Sequence, residues 1–159
     1  MTLSLDYWWH VFFGFTGRIS RSTWWVASFL LIVIDFGVLI VLINPDFFNL
    51  SIDPIPAATP AETLFGLAML IPATAVSVKR FNDRNRPYWL GYAIGIGIAI
   101  ISATLHFTAH LPAYDMAVGI LLMSLVPFFL WLVIEQGLLA GTQGANQYGP
   151  GPNDFLHSS

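Results

Sequence analysis

Four stretches of mostly apolar residues, each about as long as a membrane-crossing α-helix, dominate the hydropathy pattern of the chain. They cover residues 24–43, 61–78, 88–107 and 116–139. A hydrocarbon core of about 30 Å needs about 20 apolar residues in helical form. Proline is favoured at the first position of a helix, and Pro60 and Pro87 precede the second and third stretches. The pattern predicts an all-α fold with four transmembrane helices in a single membrane domain, residues 1–159.

The segment before the first stretch, residues 1–22, carries a second apolar pattern. Its large apolar side chains follow the spacing of one helical face: Leu5, Trp8, Trp9, Phe12 and Phe13. Since Trp and Tyr prefer the headgroup level of a bilayer, a short helix lying in the cytoplasmic interface is predicted, ended by the glycines at 14 and 17. The alternative is a helix that packs into the bundle.

Composition agrees with a membrane protein. Of the 159 residues, 56% are hydrophobic and only 9% are charged, whereas a soluble domain carries about 25% charged residues. The chain has no cysteine, which excludes disulfides, thiolate metal sites and cysteine nucleophiles. Nucleic-acid binding is not expected, because the few basic residues are needed for orientation in the membrane.

The six cationic residues form two short clusters. These are Arg18 and Arg21 near the N-terminus, and Lys79, Arg80, Arg84 and Arg86 between the second and third stretches. The loops 44–60 and 108–115 contain no Lys or Arg but carry Asp46, Asp53 and Asp115. Because short loops rich in Lys and Arg remain in the cytoplasm, both termini are predicted to be cytoplasmic, with residues 140–159 as a cytoplasmic tail.

Two acidic residues lie within the apolar stretches. Asp35 follows Trp24 by eleven residues, about 16 Å along a helix. An intramembrane carboxylate indicates a functional group such as a proton relay or ion site; the alternative is a protonated or hydrogen-bonded side chain facing Ser, Thr or Tyr groups. Glu135 lies near the cytoplasmic end of the fourth stretch, where Arg18, Arg21 or the 79–87 loop would form an ion pair with it.

Small residues recur every four positions in the third stretch: Gly91, Gly95, Ala99 and Ala103. Such a row lets a neighbouring helix approach closely, and that neighbour belongs either to this chain or to another. His106 and His110 have a spacing that also occurs in metal sites, with Asp115 nearby, but histidines at a membrane boundary usually act as solvated caps. We predict no metal, no cofactor and no catalytic residue.

Three motifs stand in order along the chain. They are "FTGRISRSTWW", with Gly17, Arg18, Ser20, Arg21 and Trp24 or Trp25; "KRFNDRNRPYW", with Arg80, Asp83, Arg86 and Trp89; and "GANQYGPGP", with Asn146, Tyr148, Gly149 and Pro152. Together they resemble the domain of unknown function 805 family, small bacterial inner-membrane proteins with a four-helix pattern. The resemblance implies the bacterial inner membrane and no established reaction. Asn82 departs from it, since many relatives have His there.

All three motifs are expected on the cytoplasmic side. A charge network of Arg18, Arg21, Arg80 and Arg86 with Asp83 and Glu135 is therefore predicted, with the turn from Asn146 through Tyr148 to Gly149 docked on it. Arginine suits such clusters because its planar head donates in several directions. The alternative is a set of separate, solvated loops.

The sequence favours a non-enzymatic membrane protein that acts by helix–helix association. It would be an accessory or assembly subunit of a membrane complex, or a homo-oligomer, with the lipid bilayer and a membrane protein or a second copy as partners. One alternative is a small transporter or channel that uses Asp35. Another is a protein that binds anionic lipids through its arginine-rich face.

Overall fold

The computed structural model describes residues 5–38, 59–108 and 114–152 as five α-helices followed by a folded, non-helical segment. The helices are α1 (Leu5–Phe13), α2 (Arg21–Val38), α3 (Pro60–Asp83), α4 (Trp89–Thr108) and α5 (Tyr114–Leu132). A π-helical segment, Val133–Leu138, continues α5. In these described ranges the only β-type pairing is an isolated bridge between Asn146 and Gly149. The predicted all-α class is confirmed.

The start of α3 is set by local sequence. Thr59 is the N-cap, where its hydroxyl accepts a hydrogen bond from the Glu62 backbone N–H while the Glu62 carboxylate accepts one from the Thr59 backbone N–H. This reciprocal capping satisfies two backbone donors that a helix start leaves unpaired. Pro60 occupies the first turn, where its missing N–H costs nothing.

The end of α3 lies beyond the apolar stretch. The helix continues through Lys79 to Asp83, so the first five residues of the predicted 79–87 loop are helical. The helix continues because these five side chains, charged and polar residues included, are buried against other parts of the chain. Asn85, with a φ of 56°, then turns the chain toward α4.

Among the described residues, three segments are long and apolar enough to cross a membrane: Arg21–Val38, Pro60–Asp83 and Val118–Leu138. A shorter apolar helix, Trp89–Thr104, lies within α4. The protein is therefore a helical membrane protein in contact with the lipid bilayer. The end of the predicted first stretch, residues 39–43, lies outside the described residues.

α3 is the central helix, packed against α1, α2 and α4. The α4 contact depends on small residues: a Cβ added to Gly91 would lie 2.8 Å from Val78 N, and one added to Gly95 would overlap the Thr74 hydroxyl. The small-residue row thus faces a helix of the same chain at these two positions. Ala99 and Ala103, further along the row, are half-buried.

α1 packs against the bundle along one edge. Val11 is buried in an apolar core with Trp24 and Val76, and Trp8 and Phe12 pack on this core. The other large residues of the predicted face point outward, with exposed fractions of 88% for Leu5, 69% for Trp9 and 45% for Phe13. The single predicted face is thus divided, because its apolar arc is wider than the surface that α3 offers.

α5 contacts the bundle mainly through the π-helical segment at its C-terminal end. There the π-helical segment packs on α2 and α3, and a Cβ on Gly137 would lie 2.8 Å from ring atoms of both Trp24 and Trp25. Trp24 Nε1 donates to Gln136 Oε1 at 2.8 Å, and Trp25 Nε1 donates to the Gly137 carbonyl at 3.0 Å. The π-helical segment that continues α5 is therefore held by several contacts. Extensive contacts between α5 itself and α2–α4 are lacking in the described ranges.

Candidate functional site

A largely buried cluster of polar side chains lies where α3 ends. Its residues, which we call the polar cap, are Arg18, Arg80, Asn82, Asp83, Thr142 and Asn146. Asp83 is its centre: Oδ1 accepts from Arg18 Nε at 3.2 Å and Nη2 at 3.0 Å, and Oδ2 accepts from Arg80 Nη1. One buried carboxylate thus balances two guanidinium groups, and the remaining positive charge is met by backbone carbonyls.

Arg18 connects the N-terminal segment to the C-terminal one. Its Nη1 donates to the carbonyls of Gly144 at 2.7 Å and Gly149 at 3.1 Å, and its Nη2 donates to the Thr142 carbonyl at 2.7 Å. A planar fork with five N–H donors suits this task. A lysine here would lose most of these contacts.

Arg80 holds the end of the π-helical segment. Its Nε donates to the Gln136 carbonyl and its Nη2 to the Leu139 carbonyl, both at 2.6 Å. Arg21 donates from Nη1 to the neighbouring Leu138 carbonyl at 3.0 Å. The last carbonyls of a helix have no partner within it and attract positive charge. Cations of α2 and α3 therefore cap the helical segment that α5 leads into.

The C-terminal segment docks on the end of α3 through Thr142 and Asn146. Thr142 donates to the Asp83 carbonyl from both its backbone N and its hydroxyl, each at 2.8 Å. Asn146 Nδ2 donates to the Asn82 carbonyl at 2.9 Å, and Asn146 Oδ1 accepts from the Tyr148 backbone N at 2.9 Å. Tyr148 thus contributes to the docked turn through its backbone.

Glu135 forms a second, separate ion-pair cluster. Its Oε1 accepts from Arg84 Nε and from Arg86 Nε, at 3.1 Å each. Glu135 is buried, whereas the Arg86 side chain is 55% exposed. Of the partners proposed from sequence, the 79–87 loop pairs with Glu135, and Arg18 and Arg21 bind other groups.

Several residues of this end were not predicted from sequence. Thr142 and Gln136 carried no signal, because each acts through contacts with residues more than fifty positions away. Lys79 was interpreted only as a topology anchor, but it is fully buried and donates from Nζ to the carbonyls of His10 and of Val11, the latter at 2.7 Å. Its position directly after the apolar stretch was the available clue.

Asn82 is bound on one side only. Its Nδ2 donates to the Gly17 carbonyl at 3.0 Å, while its buried Oδ1 has no partner among the described residues. Asn82 occupies the position at which the sequence motif departs from the family pattern.

The remaining candidate residues lie away from the polar cap. Asp35 is exposed on α2. The side chain of His106, and His110 altogether, lie outside the described residues. Where side chains are described, no group of three or more His, Asp and Glu residues comes together as a metal site would require. The polar cap itself contains ion pairs and carbonyl contacts, which are suited to holding segments of the chain together.

Comparison with known proteins covers nearly the whole chain. The family described as "Protein of unknown function (DUF805)" matches residues 12–150. The uncharacterized protein YiiR of Escherichia coli K12 is 29% identical over 148 residues, which is 92% of this chain and 91% of YiiR. The inner membrane protein YhaH of the same organism is 26% identical over 140 residues, 87% of each chain. No solved structure matches. The chain therefore belongs to the DUF805 family of proteins of unknown function, as its three motifs predicted.

Proposed function

We propose that this protein is a non-enzymatic, single-domain protein of the bacterial inner membrane that acts by helix–helix association. It serves as an accessory or assembly subunit of a membrane complex, or forms a homo-oligomer. The observation that carries the proposal is the outer face of α5, which is apolar and has no neighbour in the described chain.

The outer face of α5 is a continuous row of exposed apolar side chains. Its members and their exposed fractions are Met116 at 67%, Ile120 at 64%, Met123 at 75%, Leu130 at 57% and Ile134 at 47%. At 3.6 residues per turn these positions fall on one side of the helix. Within lipid, helices associate through close packing rather than through escape from water. Because α5 makes few contacts with α2–α4 in the described ranges, much of its surface is free for such packing.

The membrane topology in this proposal has four spans with both termini in the cytoplasm. A short turn joins α3 to α4, and the two helices pack side by side; if α3 crosses the membrane, α4 is the return crossing. The cation-bearing residues 18–21 and 79–86 meet at one end, where the polar cap and the Glu135 cluster join them. The positive-inside rule assigns that end to the cytoplasm.

The competing functions receive less support. A transport role for Asp35 would need a polar pathway, yet Asp35 is exposed on α2 and lines neither the cavity beside the polar cap nor the apolar cleft between α4 and α5. Broad recognition of anionic lipids would need free cations. Arg18, Lys79 and Arg80 are buried in internal contacts, which leaves Arg21 and Arg86 as the exposed ones.

Site-specific photocrosslinking in native membranes tests the association. A photoreactive residue at Met123 on the outer face of α5 is expected to give a protein adduct, whose mass distinguishes a second copy from another subunit. The control is the same residue at Ile32, which is 58% exposed on α2 and is expected to give no protein adduct. The absence of any adduct at position 123, or equal adducts at both positions, would contradict the proposal.

A further inference from the structure

An apolar cleft of about 520 Å³ lies between α4 and α5, on the opposite side of α5 from its outer face. Its lining includes Leu90, Gly97 and Ile101 of α4 and Leu125, Phe128 and Leu132 of α5, and no charged residue. Both walls belong to apolar helices of a membrane protein. The cleft therefore opens toward hydrocarbon, and any group that lies between its walls must be apolar.

Gly97 faces open space in this cleft. A Cβ added to Gly97 would have no atom within 4 Å, in contrast to Gly91 and Gly95 of the same helix, which touch α3. Gly97 is thus not required for packing inside the described chain. Its missing side chain instead leaves room at the centre of the α4 wall.

The cleft is long. From Leu90 to Ile101 the α4 wall is eleven residues long, about 17 Å at 1.5 Å per residue. The cleft therefore offers an apolar surface long enough for an extended hydrocarbon chain that lies parallel to the helices.

Positive charge lies at the cap-side end of the cleft. Arg86 precedes Leu90 by four residues and Glu135 follows Leu132 by three, and the Arg86–Glu135 ion pair connects the two walls there. Arg84 binds the same carboxylate, so two guanidinium groups and one carboxylate leave one net positive charge. Tyr88 and Trp89 are exposed at this level, as aromatic residues commonly are at headgroup depth.

We propose that this cleft binds one phospholipid of the cytoplasmic leaflet, with an acyl chain between α4 and α5 and its phosphate against Arg86. The long apolar cleft accounts for the chain, and the half-exposed guanidinium accounts for the phosphate. Arginine pairs well with phosphate because its N–H groups match the phosphate oxygens. The bound lipid fills the space that α5 leaves beside α4 and so supports α5 in its position.

Native mass spectrometry of the delipidated, detergent-solubilised full chain tests the site. The probes are dioleoyl phosphatidylglycerol and dioleoylglycerol, which share acyl chains but differ in the phosphate. The wild-type protein is expected to retain one phosphatidylglycerol, with about tenfold higher occupancy than dioleoylglycerol. Gly97→Leu, and independently Ala93→Leu, should lower phosphatidylglycerol occupancy about tenfold by filling the cleft. The matched control Gly119→Leu adds the same bulk to α5 where an added Cβ meets open space, and occupancy should not change.

Arg86→Gln separates the two parts of the site. It should reduce phosphatidylglycerol occupancy to the level of dioleoylglycerol and leave dioleoylglycerol occupancy unchanged. The proposal is overturned if Gly97→Leu and Ala93→Leu retain as much lipid as Gly119→Leu, or if the wild-type protein holds both probes equally. Failure here is distinguishable from failure of the association proposal, because crosslinking at Met123 reports the opposite face of α5.

Discussion

At the scale of single residues, Asp83 joins three segments of the chain. Its carboxylate is the shared counter-charge of Arg18 and Arg80, and its backbone carbonyl receives both donors of Thr142. A buried ion pair adds little stability compared with an apolar substitute, but removal of one partner leaves a buried charge without compensation. Loss of Asp83 therefore affects three segments of the chain at once.

Asp83→Ala is expected to lower the free energy of unfolding by roughly 3–5 kcal/mol, the range for breaking a buried ion pair on one side. Thermal unfolding in a mild detergent, followed by circular dichroism, measures the loss. The control is Asp6→Ala, which removes an exposed carboxylate in the first turn of α1 and should change stability by about 0.5 kcal/mol or less. Equal melting of Asp83→Ala and wild type would mean that the polar cap does not stabilise the fold.

Part of this cluster is predictable from the sequence. Charged residues such as Arg18 and Asp83 were named because an apolar chain has few of them and because the motifs repeat a family pattern. Thr142 and Gln136 could not be named, since a short polar side chain in a tail has no distinctive pattern. The carbonyl acceptors of Arg18 and Arg80 depend on how the backbone folds, which local composition does not specify.

At the scale of helices, α3 organises the molecule. It contacts α1, α2, α4 and the π-helical segment, and its last turn places Lys79, Arg80 and Asp83 toward three different parts of the chain. Lys79 donates to the last carbonyls of α1, so a cation of α3 holds α1 at its C-terminal end. The apolar part of α3 is held by close packing of its side chains against its neighbours. Its polar end is held by hydrogen bonds and ion pairs.

The α3–α4 contact depends on the absence of a side chain at Gly91. Gly91→Ala would place Cβ 2.8 Å from Val78 N, so the helices must separate, and a loss of about 1–3 kcal/mol in unfolding free energy is expected from overpacking. Gly97→Ala, in the same helix but facing open space, should be neutral or stabilise by up to about 1 kcal/mol through helix propensity. Thermal unfolding of both variants in one detergent tests the difference. A similar effect of the two would indicate that α4 does not pack on α3 at Gly91.

Helices were easier to predict than their ends and partners. Length and hydropathy were enough for the four apolar helices, because a run of about twenty apolar residues matches the thickness of a bilayer and is longer than most buried helices of soluble proteins. The predicted end of α3 was too early, because Lys79 and Arg80 were interpreted as the cytoplasmic boundary of the second apolar stretch. Whether a lysine is buried depends on α1, which lies about seventy positions earlier in the chain. The division of the α1 face has a similar cause, because only the shape of α3 decides which side chains it covers.

At the scale of the whole molecule, the two ends of the bundle differ. The end at which α3 terminates combines the polar cap, the Glu135 cluster and the apolar core around Val11 and Trp24. Toward the other end α5 lacks extensive contact with α2–α4 in the described ranges. The contacts of the described chain are thus concentrated at one end, and the free apolar surface of α5 beyond it is the surface that the proposed association would use.

The orientation of this asymmetric molecule is open to a direct test, because the chain has no cysteine and any introduced thiol is unique. Moving cations across the membrane is costly and short cationic loops stay in the cytoplasm. Ala145→Cys, exposed beside the polar cap, should therefore react with a membrane-impermeant maleimide only after spheroplasts are lysed. Asp53→Cys, in the 44–60 loop without Lys or Arg, should react in intact spheroplasts. The reverse labelling pattern would place the polar cap outside the cytoplasm. Equal labelling of positions 145 and 53 before lysis would place both on the outer side, which contradicts the three spans predicted between them.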